Sequence, residues 1–238
     1  MLIPTYNRPQ MLLSLLRQIK EQFTCDVRVK VYNDCSTENY GEVERYLENF
    51  DHYYRRTNFN YGKRYYWKLT SIMYEELMNE DFDLFIQLAD DLDLIDNFQE
   101  RVLEQWSAAQ TGALNILVSN GSFKMWHRQG RKKIERNGFK FWKIKWIDGC
   151  FVADKTFFTK IGYQCPEIPE HRFWKTPNRS SGVGSALSYH FHRNRGEILV
   201  TYKSLVIHRG MESKMNPERT GDTTSLIYET QTRGSIEA

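Results

Sequence analysis

The chain has 238 residues, 40% of them hydrophobic, and its formal net charge at pH 7 is +3. This length suits one sizeable domain with a real core, and the small net charge excludes a chain that is polycationic throughout. The four cysteines are scattered, without the CxxC spacing of a zinc site, so we expect a reducing compartment. The sequence shows no secretory leader and no apolar run of membrane-spanning length. We therefore predict one cytoplasmic domain over residues 1–238, with peripheral membrane contact as the alternative.

The first part of the chain alternates short apolar strands with amphipathic helices. The predicted elements are strand 1–4, helix 9–23, strand 27–32, helix 40–50, strand 52–56 and helix 63–79. Each polar loop falls after a strand, which is typical of a doubly wound α/β domain with a mostly parallel sheet. No GxGxxG motif and no Walker lysine pattern is present, so the usual dinucleotide and P-loop sites are not indicated.

The stretch 83–93 joins a buried strand to a cluster of carboxylates. Asp90, Asp91 and Asp93 fall within four residues, and such charges repel one another unless a cation neutralises them. Mg²⁺ and Mn²⁺ take oxygen ligands of this kind. The alternative is a solvated acidic turn in which Asp96 caps the next helix. In doubly wound sheets ligands bind at the carboxyl ends of the strands, so loops 5–8, 33–37 and 90–93 should converge.

The second part of the chain has a less regular pattern. The predicted elements are helix 96–110, strand 114–119, a basic segment 124–145, strand 146–153, helix 155–161, surface loop 166–181, helix 184–193, strand 198–207 and a polar arm 211–238. The basic segment holds nine basic residues and one acidic residue, a local charge of +8. Large aromatic residues are interleaved with these charges, and Asn137-Gly138 is a hairpin turn signal. We predict a β-hairpin or a long loop here.

Four short motifs carry a resemblance to a known family. They are Ile3-Pro4-Thr5-Tyr6-Asn7-Arg8, Asn33-Asp34-Cys35-Ser36-Thr37, Asn60-Tyr61-Gly62 and the Asp-rich end of 84–93. In this order and spacing they resemble glycosyltransferase family 2, and a weaker match continues to His208. The resemblance implies a GT-A (Rossmann-like) fold with a mixed, mostly parallel sheet flanked by helices. It also implies a nucleoside diphosphate sugar as donor and a divalent cation, Mn²⁺ or Mg²⁺, as cofactor.

The resemblance also implies roles for individual residues. The donor would be held by residues chosen from the first three motifs together with Lys63 and Asp90. This set is Thr5, Tyr6, Asn7, Arg8, Asp34, Asn60, Gly62, Lys63 and Asp90. The metal would be held by Asp91 and Asp93, which fit an Asp-x-Asp element, and by His208, for which a surface histidine is the alternative. Arg64 and Arg209 are further candidates for phosphate contacts. Residues 1–110 would form the nucleotide-sugar half and residues 111–210 the acceptor half.

The chain departs from the family at the general base. Inverting members carry a Glu-Asp pair before a late helix, but Val183 and Gly184 stand at those positions here. We expect Asp148 to serve as the base, with Glu170 and Glu167 as further candidates, whereas Asp148 as a turn residue beside Gly149 is the plain alternative. The missing pair leaves open an inverting reaction, a retaining reaction, or a non-catalytic module that binds a nucleotide sugar or nucleic acid.

The basic aromatic segment is the candidate acceptor surface. Its candidate contacts are Trp126, Arg131, Lys132, Lys133 and Trp142. These residue types suit a nucleic acid, such as DNA with a modified base, and they also suit an anionic membrane that carries a lipid-linked glycan. A solvated hairpin without a partner is the third alternative.

Overall fold

The computed structural model describes residues 1–119, 124, 130–174, 180–209 and 225. The helices in this part of the chain are α1 (Pro9–Gln22), α2 (Gly41–Leu47), α3 (Gly62–Glu75), α4 (Phe98–Ala109), α5 (Lys155–Ile161) and α6 (Val183–Arg193), with a 3₁₀ turn at Glu170–Phe173. The strands are β1 (Leu2–Thr5), β2 (Arg28–Asn33), β3 (Asp51–Arg56), β4 (Phe85–Gln87), β5 (Leu92–Leu94), β6 (Ala113–Asn115), β7 (Lys132–Arg136), β8 (Phe139–Ile144), β9 (Phe151–Ala153), β10 (Ile198–Thr201) and β11 (Val206–His208).

The described strands form one large mixed sheet in the order β3-β2-β1-β4-β9-β6-β10-β8-β7. The first four of these strands run parallel, whereas β9 is antiparallel to both of its neighbours and β8 to both of its own. A small separate sheet pairs β5 with β11. The carboxyl ends of β1, β2 and β4 therefore meet at one edge, and the antiparallel β9 begins at that edge.

Two apolar layers enclose the main sheet. Helices α1, α2 and α4 bury residues such as Leu16, Val43 and Val102 on one face. Helices α3, α5 and α6 bury residues such as Met73, Phe158 and Phe191 on the other face. This arrangement confirms the predicted α/β architecture with helices on both faces.

Several predicted strands are shorter than expected. The predicted strand 198–207 is divided into β10 and β11, since the chain turns at Tyr202–Leu205 to pair β11 with β5. In the predicted strand 146–153 only Phe151–Ala153 is a strand, and in 114–119 the strand ends at Asn115. The acidic stretch also contains two strands, because a turn at Asp90 and Asp91 separates β4 from β5. Apolar composition predicted buried chain at these places, but not where it bends.

The basic segment contains the predicted hairpin. β7 and β8 pair in antiparallel register from Lys132↔Lys143 to Arg136↔Phe139. Asn137 and Gly138 have positive φ of 47° and 80°, which a two-residue turn of this kind requires. β8 also pairs with β10, so the hairpin extends the main sheet instead of protruding from it.

Two sequence predictions lie outside the described residues. They concern Trp126 and nearly all of the polar arm 211–238. The helices of the described ranges are all too short or too polar to cross a bilayer.

Candidate active site

The loop after β1 is bonded to the end of β4. The Thr5 hydroxyl donates to Asp90 Oδ2 at 2.8 Å and lies 2.8 Å from the Tyr40 hydroxyl. The Tyr40 hydroxyl also accepts the backbone N–H of Arg8 at 3.1 Å. Thr5 and Asp90 are 85 residues apart in the chain, so this contact joins two of the predicted motifs at one edge.

The same loop is also bonded to the loop after β2. Asn7 Oδ1 accepts the backbone N–H of Thr37 at 2.8 Å, and the Asn7 N–H donates to Ser36 Oγ at 2.9 Å. Asn7 itself is in the left-handed region, with φ of 51°. Asn7 therefore ties the first two motifs together. Tyr6, beside it, is half-buried.

Asp34 connects the second and third motifs. Its carboxylate accepts the backbone N–H groups of Tyr61 at 2.8 Å and Gly62 at 2.9 Å, where α3 begins, and Asn60 donates to its carbonyl at 3.0 Å. Burial raises the pKa of Asp34, although these two N–H bonds act to lower it. The sequence did not indicate this contact with the start of α3, and a nucleoside contact of Asp34 remains a prediction. Lys63 follows in the first turn of α3 and is half-buried.

Asp90 and Asp91 form a buried carboxylate pair, each 6% exposed, that shares the guanidinium of Arg8. Arg8 Nη1 lies 3.2 Å from Asp90 Oδ1 and 2.5 Å from Asp91 Oδ2. Burial and the neighbouring Asp91 raise the pKa of Asp90 to about 6, with Arg8 and Thr5 opposing the rise. Arg8 is bound to the two carboxylates in this structure, and its contact with the donor remains a prediction.

His208 lies beside the same pair. Its Nε2 is 3.5 Å from Asp91 Oδ2. Two ligand atoms about 2.1 Å from one ion are about 3.0 Å apart at a right angle and farther apart at wider angles. Asp91 and His208 therefore fit a divalent cation, with a diphosphate and water completing the coordination.

Asp93 is separated from this pair by strand geometry. It lies on β5, where Oδ1 accepts from Gln18 Nε2 at 2.7 Å and from Arg209 Nη2 at 2.5 Å. Burial acts to raise the pKa of Asp93, but the bonds from Arg209 and Gln18 outweigh it and the pKa falls. Within the described ranges no three His, Cys, Asp or Glu side chains are grouped as a metal centre, so the predicted set of Asp91, Asp93 and His208 is not brought together.

Asp148 lies in a loop of residues 146–149 that is fastened to the same edge of the sheet. Its N–H donates to Asn115 Oδ1 at 2.9 Å, and Gln87 Nε2 donates to the Gly149 carbonyl at 3.2 Å. Asn115 and Gln87 end β6 and β4, and β9 follows this loop directly. Asp148 is therefore placed at the strand ends, although it is not on a strand as predicted.

The first turn of α6 packs directly against this loop. The Ile147 N–H donates to Ser188 Oγ at 2.6 Å, and Ser188 Oγ donates to the Gly184 carbonyl at 2.6 Å. A Cβ at Gly184 would lie 2.3 Å from the Ile147 carbonyl oxygen. A carboxylate side chain at position 184 would thus displace the loop that carries Asp148.

The other two candidate bases, Glu170 and Glu167, lie away from the loop of residues 146–149. Glu170 is exposed and accepts a hydrogen bond from the Tyr65 hydroxyl on α3. Glu167 lines a groove of about 890 Å³ between residues 166–174 and the outer face of α6. Neither residue is bonded to the loop of Asp148. Of the three candidates, Asp148 is therefore the one held at the strand ends where the other motifs meet.

The candidate acceptor residues of the hairpin are arranged around one aromatic stack. The Trp142 ring stacks on Tyr202 with centroids 5.3 Å apart, Arg131 lies 4.7 Å from the Trp142 centroid, and Lys133 lies 5.1 Å from the Tyr202 centroid. Lys132 is exposed on the edge strand. Of the aromatic residues in this segment, Phe141 is fully buried in the core and Trp142 is stacked on Tyr202.

Several residues that hold the site together were not selected from the sequence. They are Gln18, Tyr40, Gln87, Asn115 and Ser188. Gln87, Asn115 and Ser188 are at most 5% exposed, so their role lies in buried hydrogen bonds. The one available signal was a polar residue within each apolar stretch, for example Asn115 between Leu114 and Ile116.

The sheet order and the helices on both faces are those of the GT-A fold, and solved structures with this fold align with the chain. TarS 1–349 of S. aureus aligns with a TM-score of 0.59 and 14% identity, over 86% of this chain and 58% of that one. Mannosyltransferase PcManGT from Pyrobaculum calidifontis in complex with GDP-Man and Mn²⁺ aligns with a TM-score of 0.53 and 13% identity, over 84% and 55%. GalNAc-T7 with UDP, GalNAc and Mn²⁺ aligns with a TM-score of 0.58 and 15% identity, over 94% and 46%.

A sequence comparison finds a family match over the first part of the chain. Residues 1–67 match the model of glycosyl transferase family 2, which confirms the resemblance carried by the first three motifs. No curated protein matches the sequence. The chain spans 46% to 58% of the three solved structures described above.

Proposed function

We propose that this chain is a metal-dependent glycosyltransferase domain that moves a sugar from a nucleoside diphosphate sugar to an acceptor carried on a polyanion. The observation that carries the proposal is the contact between Thr5 and Asp90 at the carboxyl ends of β1 and β4. Together with Asn7 and Asp34, it brings four separate loops to one edge, where ligands of such sheets bind. Residues 1–110 would hold the donor and residues 111–210 the acceptor.

The side chains at this edge suit the donor diphosphate. Arg8 has the forked guanidinium that binds phosphate oxygens, and Asp91 and His208 would hold the divalent cation. When bound, that cation would offset the negative charge that develops on the leaving diphosphate. The solved structures with GDP-Man or UDP and Mn²⁺ support this choice of donor and metal.

Asp148 would act as the general base of an inverting transfer. Its carboxylate takes the proton of the acceptor hydroxyl while that oxygen bonds to the anomeric carbon of the sugar. The bond from the anomeric carbon to the diphosphate breaks, and its electron pair leaves with the nucleoside diphosphate. The packing of Gly184 against Ile147 supports this role, because Asp148 stands beside the position of the missing acidic pair.

The enzymatic proposal is tested by donor turnover. Purified protein with Mn²⁺ and a panel of UDP- and GDP-sugars should release nucleoside diphosphate, and Asp91→Asn should lower this rate by on the order of 10²-fold or more. Asp81→Asn is the matched control, because Asp81 pairs with Lys155 on the surface. Tight donor binding without any release would favour the non-catalytic module instead.

The acceptor would be bound partly by the hairpin. Arg136 and Lys143 pair with Glu197, whereas Lys132 and Lys133 have no carboxylate partner within the described ranges. Residues Gln87, Phe151, Asn115, Val200, Trp142 and Lys133 form one row across six strands. Five strand spacings amount to about 24 Å, so an acceptor that reaches both Lys133 and the strand ends near Asp90 is a polymer.

A nucleic acid fits this surface better than a lipid-linked glycan at a membrane. Among the described residues, the exposed large hydrophobic side chains lie outside the hairpin. The hairpin therefore offers lysine and arginine side chains for phosphate groups but no exposed apolar side chain that could insert into a membrane. Affinity for single-stranded DNA should fall steeply with salt, and Lys133→Glu should reduce the salt slope by about 1. Lys20→Glu is the matched control, because Lys20 Nζ lies over the ring of Phe50 as Lys133 Nζ lies over the ring of Tyr202. Binding that requires anionic vesicles would favour the membrane-linked acceptor.

A further inference from the structure

The guanidinium of Arg8 lies between the carboxylates of Asp90 and Asp91, which need a positive charge nearby. Its Nη1 bridges Asp90 Oδ1 and Asp91 Oδ2, and the three side chains are each at most 10% exposed. Two adjacent carboxylates with so little water repel each other strongly, and Arg8 offsets one of their two charges. The protein thus carries its own counter-cation for the carboxylate pair.

One oxygen atom receives two different partners in this arrangement. Asp91 Oδ2 accepts Arg8 Nη1 at 2.5 Å and faces His208 Nε2 at 3.5 Å. It is also the oxygen with which His208 would hold a divalent cation. A divalent ion on this oxygen would be adjacent to the guanidinium, and the two positive groups would repel each other.

We infer that Arg8 competes with the divalent cation for Asp91, so that metal binding releases the guanidinium toward the donor diphosphate. The inference rests on the proposed function and adds an exchange step to it. Arg8 can move without unfolding an element, because it precedes α1 and its backbone is not helical, with φ of −143° and ψ of 49°. Once released, the forked guanidinium can pair with phosphate oxygens. A diphosphate bound to the metal at Asp91 would lie within reach of Arg8.

The direct test is the affinity for Mn²⁺ without nucleotide. Electron paramagnetic resonance measures free Mn²⁺ in a titration of the wild-type chain and of Arg8→Gln. Removal of the competing charge should tighten Mn²⁺ binding at least about fivefold, the smaller end of typical coupling between ligands. Arg8→Lys, which keeps a positive charge, should stay within about twofold of wild type on the same scale. Arg55→Gln is the matched control, since Arg55 pairs with Glu76 on a different part of the surface.

Two results would overturn the competition. Mn²⁺ affinity that is unchanged or weaker in Arg8→Gln would contradict it, and so would equal tightening in Arg8→Gln and Arg8→Lys. If Arg8→Gln does not fold, ¹⁵N spectra of the wild-type chain decide the matter. Mg²⁺ should then shift the one arginine Nε–H signal that is missing from Arg8→Lys, and a signal that does not move contradicts the exchange.

A second titration tests the diphosphate contact. With Mn²⁺ at saturation, UDP or GDP should bind Arg8→Gln about tenfold more weakly than wild type, the effect of losing one charged hydrogen bond. Equal affinity would overturn this contact. If neither nucleotide binds any variant, the proposed function fails, while the Mn²⁺ titration still decides whether Arg8 and the metal compete.

Discussion

The parallel and antiparallel parts of the sheet bring polar groups to the same edge in different ways. In the parallel part, loops after β1, β2 and β4 reach the edge because every parallel strand ends there, and Asn7 and Asp34 bond neighbouring loops together. In the antiparallel part, the Asp148 loop precedes β9 at the same edge, and side-chain bonds to Asn115 and Gln87 fix its position. The first arrangement follows from strand direction, whereas the second depends on particular buried bonds.

Because Asp148 lies in this separately fastened loop, we expect its substitution to affect proton transfer and not donor binding. Asp148→Asn should lower kcat by about 10²- to 10⁴-fold, the usual contribution of a general base, with the affinity for the donor unchanged. Steady-state kinetics and donor titration measure the two effects separately. Asp81→Asn serves again as the surface control, and an unchanged kcat in Asp148→Asn would remove this residue as the base.

In the parallel part, Asp34 should matter for stability as well as for the donor. Asp34→Ala leaves the N–H groups of Tyr61 and Gly62 without their acceptor, which should cost about 2–3 kcal/mol of unfolding free energy. Urea denaturation measures this change. Asp51→Ala, at an exposed strand start, should change stability by less than about 0.5 kcal/mol. Equal effects of the two substitutions would contradict the bonds assigned to Asp34.

The packing of α6 against the Asp148 loop can be tested with a single methyl group. Gly184→Ala places a Cβ 2.3 Å from the Ile147 carbonyl oxygen, and it should cost about 1–3 kcal/mol of stability and also lower kcat. At Gly149, on the same loop, a Cβ meets no atom within 4 Å. Gly149→Ala should therefore leave the urea midpoint nearly unchanged. A stable Gly184→Ala would show that the loop does not pack as described.

The smallest effect is expected where the hairpin joins the sheet. Burial acts to raise the pKa of Glu197, but hydrogen bonds and charge from Lys143 and Arg136 together lower it. A carboxylate whose folded pKa is depressed stabilises the fold above its unfolded pKa, and this contribution is lost as the pH falls through the folded pKa. Glu197→Gln should cost about 1 kcal/mol at pH 7. Thermal melts should show the difference vanishing in acid, and a constant difference down to pH 2 would contradict the ion pairs.

Most of the parallel part of the sheet could be predicted from the sequence. The α/β alternation and the three motifs within residues 1–67 were visible because parallel strands place short polar loops at a common edge. Asp93 was assigned to the metal because its spacing from Asp91 fits Asp-x-Asp. In the structure a turn separates β4 from β5, and Asp93 accepts hydrogen bonds from Gln18 and Arg209, so its role at a metal remains a prediction. Spacing alone does not show where a strand ends.

The contacts of the antiparallel part could not be predicted from the sequence, because they join residues far apart in the chain. The contacts that position Asp148 join residues far apart in the chain, such as Gln87 with Gly149 and Ile147 with Ser188, and each depends on a buried polar side chain. Nothing in the local pattern pairs these residues. The vacancy at Val183 and Gly184 was visible in the sequence, but the close approach of Gly184 to Ile147 required coordinates.

We propose that four loops of the parallel part bind one nucleoside diphosphate sugar. Hydrogen–deuterium exchange with and without a saturating UDP- or GDP-sugar and Mn²⁺ tests it most directly. We expect simultaneous protection of the backbone amides near residues 5–8, 34–37, 60–63 and 90–93, with the hairpin at 132–144 unchanged. Protection confined to the hairpin, or to the groove beside α6, would contradict it.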